Sequence, residues 1–197
     1  MTYKINAALM AALALGASMS ALAGETIATG NMLANNCTGC HGIDVSHGPS
    51  IPSIAGLSKE YFVGIMKAYR EGKAYSTIMG RIAKGYSEDE IKAMADYYSS
   101  KPFVKANQTS DAKLAQEGGK LHDRYCEKCH EKGGSASDEG GTLAGQWTPY
   151  LQWTLGDMKA GKREAEKKMM TKLEELHASK GDAGMNALLN YYASQKK

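Results

Sequence analysis

A five-residue pattern, Cys-x-x-Cys-His, occurs twice in this 197-residue chain and contains every cysteine the chain has. Cys37-Thr38-Gly39-Cys40-His41 recurs as Cys126-Glu127-Lys128-Cys129-His130, displaced by 89 positions. The same displacement pairs Gly30 with Gly119, Met32 with Leu121, Ile54-Ala55-Gly56 with Leu143-Ala144-Gly145, Tyr61 with Tyr150 and Gly72-Lys73 with Gly161-Lys162. Toward the end of each copy the offset grows to 94, so that Ile91, Met94, Ala95 and Tyr98 match Met185, Leu188, Leu189 and Tyr192. Self-similarity at a fixed period means one supersecondary unit built twice. Whatever fold suits one half must therefore suit the other.

Those two final sets fall at i, i+3, i+4, i+7, the spacing of one apolar helix face. Ser87 and Glu90 have the capping-box spacing just ahead of the first set. Helical periodicity also runs over residues 59–70 and 149–159, strand alternation is almost absent, and the segments after each motif are rich in turn-forming Gly, Ser and Pro. The expected fold is all-α, with two tandem domains at residues 24–105 and 106–197. Pro102 stops the last helix of the first half, and polar residues follow it. Each half is small for a stable apolar core, and a large buried cofactor would help to supply one.

Residues 1–23 read as a secretory signal: Lys4 gives the positive start, residues 5–19 the apolar run, and Ala21-Leu22-Ala23 the small-residue cleavage site. Cleavage after Ala23 would send the chain to a bacterial periplasm. No other stretch approaches the ~20 apolar residues a bilayer span needs, so no membrane span is expected. The 24 basic and 21 acidic residues are interspersed, without the clustered basic stripe of a nucleic-acid binder.

Four cysteines arranged in this way have few chemistries open to them. A zinc ribbon places about 15–20 residues between its pairs, and here 85 intervene. A thioredoxin-like redox pair needs a βαβ context that is missing. Local disulfides would suit an oxidising compartment but leave the following His unexplained twice. Covalent haem c attachment uses all five positions: the two thiols sit under the two vinyl groups of one haem, and the adjacent His lies beneath the iron as proximal ligand. Two covalently attached haem c groups are thus expected, one on Cys37, Cys40 and His41 and one on Cys126, Cys129 and His130.

The sixth iron ligand decides between a carrier and a catalyst, because a Met closes the position and raises the potential. Met79, 38 residues after His41, is the candidate in the first half. In the second half its counterpart falls on Lys168, so one inserted residue gives Met169 and two give Met170. The smaller insertion favours Met169, with Met170 open. His47, His122 and His177 are expected as exposed polar residues. Pro49 is the candidate for placing a carbonyl on the His41 ring N–H; the second half has Gly140-Gly141-Thr142 there. Trp147, Tyr150 and Trp153, three apart, are expected to pack around the second haem or between the halves. The Tyr97-Tyr98 and Tyr191-Tyr192 pairs are expected in the cores.

This arrangement resembles tandem class I cytochromes c of the dihaem cytochrome c4 type, over the whole mature chain. Residues 76–87, 120–125 and 143–152 further resemble the cytochrome subunit of flavocytochrome c sulfide dehydrogenase. That resemblance implies an electron-transfer subunit and not an enzyme in its own right. It also implies an FAD-containing flavoprotein partner that oxidises sulfide, and a soluble cytochrome that accepts the electrons. Carried over residue by residue, it implies Cys37, Cys40, His41 and Met79 for the first haem. For the second it implies Cys126, Cys129, His130 and, by the family's pattern, Met169. The alternative is a free-standing cytochrome c4-like shuttle to a terminal oxidase or reductase. A dihaem peroxidase would need one iron without a sixth protein ligand.

Overall fold

Both halves are organised around a helix crossing that the duplication encodes. The computed structural model describes residues 28–136 and 140–195; the Ala23 cleavage site lies outside them. The first half contains α1 (Gly30–His41), α2 (Lys59–Glu71), α3 (Met79–Ile82), a 3-10 turn at Ala83–Gly85 and α4 (Glu88–Ser99). The second contains α5 (Ala112–Tyr125), the single turn α6 (Glu131–Gly134), α7 (Thr148–Lys159) and α8 (Lys167–Ser194). Among the described residues the only β-structure is a pair of isolated antiparallel bridges, Ala74 with Arg163 and Glu131 with Ala136. The fold is all-α, as its sequence periodicity requires.

Local chemistry sets the helix ends. The side chains of Thr29, Ser58 and Asp111 each accept an orphan amide at the start of α1, α2 and α5. Ser87 and Glu90 form the full capping box of α4, whose first turn carries three acidic residues against the helix dipole. Gly72, at φ 75°, closes α2 in the left-handed conformation. Residues 101–111 are non-helical and join the two halves.

Ile91, Met94, Ala95 and Tyr98 are at most 1% exposed and form one cluster with Leu33, Ala34, Phe62 and Met66. The second cluster contains Leu121, Leu151, Leu176, Leu188 and Tyr192. The same tie recurs in each half: Gly56 N–H donates to the Tyr98 carbonyl at 2.8 Å, and Gly145 N–H to that of Tyr192 at 2.9 Å.

One expectation about register is corrected. Gly30 packs on Ala93 and Tyr97, so closely that a Cβ there would lie 2.9 Å from the Ala93 carbonyl carbon. In the second half the glycine facing the counterparts Ala187 and Tyr191 is Gly118, not Gly119; a Cβ on it would lie 2.6 Å from the Ala187 carbonyl carbon. The helix is therefore displaced by 88 positions while the motif is displaced by 89. The spare residue is absorbed because α1 stays helical through His41, whereas α5 ends at Tyr125 and Cys126 becomes its C-cap.

The halves meet along a pseudo-twofold seam. Ala74 and Arg163, equivalent positions of the repeat, form an antiparallel bridge, and Tyr75 N–H donates to the Lys162 carbonyl at 2.9 Å. Arg163 is only 7% exposed and donates to the Tyr61 hydroxyl at 3.1 Å. Burial opposes its charge, but the phenols of Tyr150, Tyr61 and Tyr69 around it raise its pKa overall. Burial pushes the Tyr69 phenol up to about 12. The connecting segment stitches itself to the second half through Gln108, whose amide bonds the Gln146 carbonyl at 2.7 Å and Thr148 at 3.0 Å.

Candidate haem sites

In the first half the C-terminal turn of α1 presents the motif. Cys37 is half-buried, Cys40 exposed, and neither forms a disulfide. Three residues apart on a helix, they share one face. His41 is buried behind them, and its Nδ1 lies 2.8 Å from the Pro52 carbonyl oxygen. A carbonyl can only accept, so Nδ1 carries the proton and Nε2 keeps a free lone pair for a metal. Burial pushes the His41 pKa down, with the carbonyl bond opposing, which favours the neutral, ligating form. Burial likewise pushes the Cys37 thiol up, and a hydrogen bond with Tyr98 offsets part of this.

The carbonyl on His41 belongs to Pro52, not Pro49. His47 N–H donates to the Cys40 carbonyl and Ile51 N–H to that of Gly48, which folds this segment into a turn. The turn carries Pro49 to the surface and delivers Pro52 to the ring.

Met79 opens α3 and packs, half-buried, on the same cluster as Cys37. Met32, Ile43, Ile78 and Ile82, neighbours in sequence of the motif or of Met79, expose 63%, 67%, 59% and 41% of their surface. Two thiols, a neutral imidazole nitrogen, a thioether and adjacent uncovered apolar side chains are the donor set and lining that an apolar macrocycle fits. Among the described residues no three His, Cys, Asp or Glu side chains gather to hold a bare metal ion.

The second site differs in its support. Cys126 is half-buried, Cys129 exposed, and both are free of disulfides. Burial pushes the Cys126 thiol up, against a hydrogen bond with Tyr192. His130 Nδ1 is buried without a hydrogen-bond partner among the described residues. Gly141 stands where the first copy has Pro52. Burial lowers the His130 pKa, and the nearby His122 adds to it. Met169 and Met170 are both half-buried in the first turn of α8, and neither packs on the second cluster as Met79 packs on the first.

His122 overturns the expectation of exposure: it is fully buried. Its Nδ1 lies 2.9 Å from the Tyr192 hydroxyl and its Nε2 2.7 Å from the Glu127 carboxylate, so burial leaves no polar atom unmet. Glu127, inside the motif itself, also accepts the amides of Lys132 and Gly133 at 2.9 and 3.0 Å. It thereby holds two residues at positive φ, 53° and 69°. The Gly133 amide first, then His122, keep its carboxyl below the usual range. In the first half Tyr98 instead donates to the Ala34 carbonyl at 3.1 Å. His47 and His177 are exposed as expected.

Trp147 and Tyr150 lie between the halves, Trp147 donating to Ser46 Oγ at 2.7 Å and Tyr150 joining the Arg163 cluster. Trp153 is 55% exposed. Sequence reasoning missed Arg163, Gln146, Glu127 and Pro52. Only Glu127 left a local trace, an acid inside the motif five residues after His122.

The family model for cytochrome c matches residues 27–101. The cytochrome subunit of sulfide dehydrogenase from Chlorobaculum tepidum is 41% identical over 75 residues, 38% of this chain and 68% of that protein. The thiosulfate dehydrogenase electron acceptor of Thiomonas intermedia is 28% identical over 145 residues, 68% of this chain and 67% of that protein. Cytochrome c4 from Pseudomonas stutzeri shares the fold with a TM-score of 0.72 at 23% identity, over 84% of this chain and 96% of its own. Among the described residues no helix is long and apolar enough to cross a membrane. With two Cys-x-x-Cys-His motifs on two copies of one helical unit, the chain belongs to the cytochrome c family as a dihaem electron-transfer protein of cytochrome c4-like fold.

Proposed function

We propose that this chain is the dihaem electron-transfer subunit of a periplasmic sulfide dehydrogenase, docking an FAD-containing flavoprotein and passing its electrons to a soluble cytochrome. The 41% identity to a sulfide dehydrogenase cytochrome subunit carries this reading. After export and cleavage at Ala23, residues 24–105 form the first haem domain and residues 106–197 the second. Cys37 and Cys40 would anchor the first haem, with His41 and Met79 as its iron-holding residues. Cys126 and Cys129 would anchor the second, with His130 and Met169 as its iron-holding residues.

Bound haem supplies a one-electron couple at each site. The chain's own contribution is to hold two neutral imidazoles and two thioethers in place, to exclude water, and to fix one site against the other along the Arg163 seam. Chemistry on sulfide belongs to the flavoprotein, so the chain by itself is not an enzyme. Gentle purification of the native protein tests this, with flavin and haem quantified in one peak. Flavin at about half the haem content supports the reading, and haem without any flavoprotein even at low salt contradicts it.

One observation favours a second reading. The match to a thiosulfate dehydrogenase electron acceptor runs over 145 residues and so extends across both repeats. A free-standing shuttle of that type would elute alone and accept electrons from a separate dehydrogenase.

A further inference from the structure

We propose that Gln146, in the second half, is a positioning residue for His41 in the first, and that through it the second domain sets the potential of the first haem. The inference rests on the reading that Cys37, Cys40 and His41 hold that haem.

Gln146 is 2% exposed and Ser53 fully buried. The Gln146 side chain takes both main-chain groups of that single residue: its Oε1 accepts the Ser53 N–H at 3.0 Å, and its Nε2 donates to the Ser53 carbonyl at 3.0 Å. Oε1 is itself held by the Trp147 N–H at 3.1 Å, which fixes the amide's orientation. The pairing copies what a neighbouring β-strand would do, although no strand is present there.

The Ser53 N–H belongs to the same planar peptide group as the Pro52 carbonyl, and in a trans peptide the two point in opposite directions. One peptide unit therefore bridges the domains, with Gln146 Oε1 on its N–H and His41 Nδ1–H on its C=O, the latter at 2.8 Å. A peptide whose N–H is engaged is a stronger acceptor at its oxygen, because bonds in such a chain polarise one another. Gln146 thus fixes the direction of the Pro52 carbonyl and strengthens its hold on the ring proton. A stronger bond at Nδ1 makes the imidazole a more basic ligand and favours the oxidised iron. The arrangement has no counterpart in the second half, where His130 Nδ1 lacks a partner among the described residues.

The test uses the full haem-loaded protein and the variants Gln146→Met, which keeps the volume, and Gln146→Glu, which keeps an acceptor for the Ser53 N–H. The two potentials are resolved by spectroelectrochemistry and assigned by NMR of the haem methyls. Exchange of the His41 Nδ1 proton is followed in the reduced state. Gln146→Met should raise the first potential, leave the second unmoved and speed loss of the His41 ring proton. Gln146→Glu keeps the acceptor but loses the donor to the Ser53 carbonyl. It should hold the His41 ring proton better than Gln146→Met does, while its added negative charge moves the first potential down and not up. An unmoved first potential, or equal shifts at both haems, overturns the proposal. Should Gln146→Met fail to accumulate, native amide exchange decides: the Ser53 N–H should be among the slowest, and rapid exchange refutes the clamp. Peptide mass spectrometry separates the two failures. Haem missing from the Cys37–His41 peptide sinks the first-haem reading, whereas haem present with an unmoved potential sinks the role of Gln146 alone.

Discussion

Two adjacent glycines in α5 should respond to the same substitution in opposite ways. A Cβ on Gly118 would stand 2.6 Å from the Ala187 carbonyl carbon and 2.7 Å from Tyr191 Cβ, inside the 3.0 Å that real Cβ atoms essentially never breach. Both obstacles are atoms of the α8 backbone or fixed to it, so Gly118→Ala must push the two helices apart. Overpacking of this kind costs about 1–3 kcal/mol, here at the upper end because no flexible side chain can yield. Helix propensity returns about 1 kcal/mol, which leaves a net loss of about 2 kcal/mol. For a domain of this size that lowers the melting point by roughly 8–16 °C. A Cβ on Gly119 meets only the Tyr191 ring, at 3.3 Å, and rings can shift. Gly119→Ala should therefore be neutral or stabilise by up to about 1 kcal/mol. Thermal unfolding of the haem-loaded protein by circular dichroism, with amide exchange mapped onto α5 and α8, measures both. A larger loss from Gly119→Ala would mean that the 89-residue register of the motif persists through the helix, and would refute the packing of Gly118 on Ala187.

Met79→Ala should leave haem attached, lower the first potential and open that site to cyanide, as optical titration would show; unchanged ligand binding would refute Met79 as the axial ligand. Cys129→Ser should weaken attachment of the second haem alone, and loss of the first haem on peptide mass mapping would contradict the domain assignment. Glu127 has a folded pKa below its ordinary value, so its stabilisation of the Lys132-Gly133 turn is complete well above the ordinary Glu value of about 4.3 and fades as pH falls through the folded pKa. Exchange of the Lys132 and Gly133 amides should accelerate on that acid side relative to Glu127→Gln, and parallel profiles would remove Glu127 from the turn.

The capped, amphipathic helices were legible because their signals are local. Ser87 and Glu90 sit three apart, and Ile91, Met94, Ala95 and Tyr98 repeat with the helical period and are buried as that period demands. The thiols and imidazoles were legible because haem attachment fixes residue types within five positions. What escaped depends on where a turn releases the chain. Pro49 and Pro52 are equally plausible in sequence, and only the turn around His47 and Ile51 decides which carbonyl reaches His41. Burial of His122 depends on partners 5 and 70 residues away. The pairing of Gln146 with Ser53 spans 93 residues and two domains, and no periodicity records such a contact.

In the proposed route, electrons from sulfide reach this chain through a bound flavoprotein. The most direct measurement is anaerobic addition of sulfide to the gently purified native complex, with the haem absorption followed in time. Prompt reduction of both haems while flavin co-elutes, lost when the flavoprotein is stripped away, is the predicted result. Haems that stay oxidised under sulfide in the intact complex, yet are reduced by a thiosulfate-oxidising partner, would contradict it.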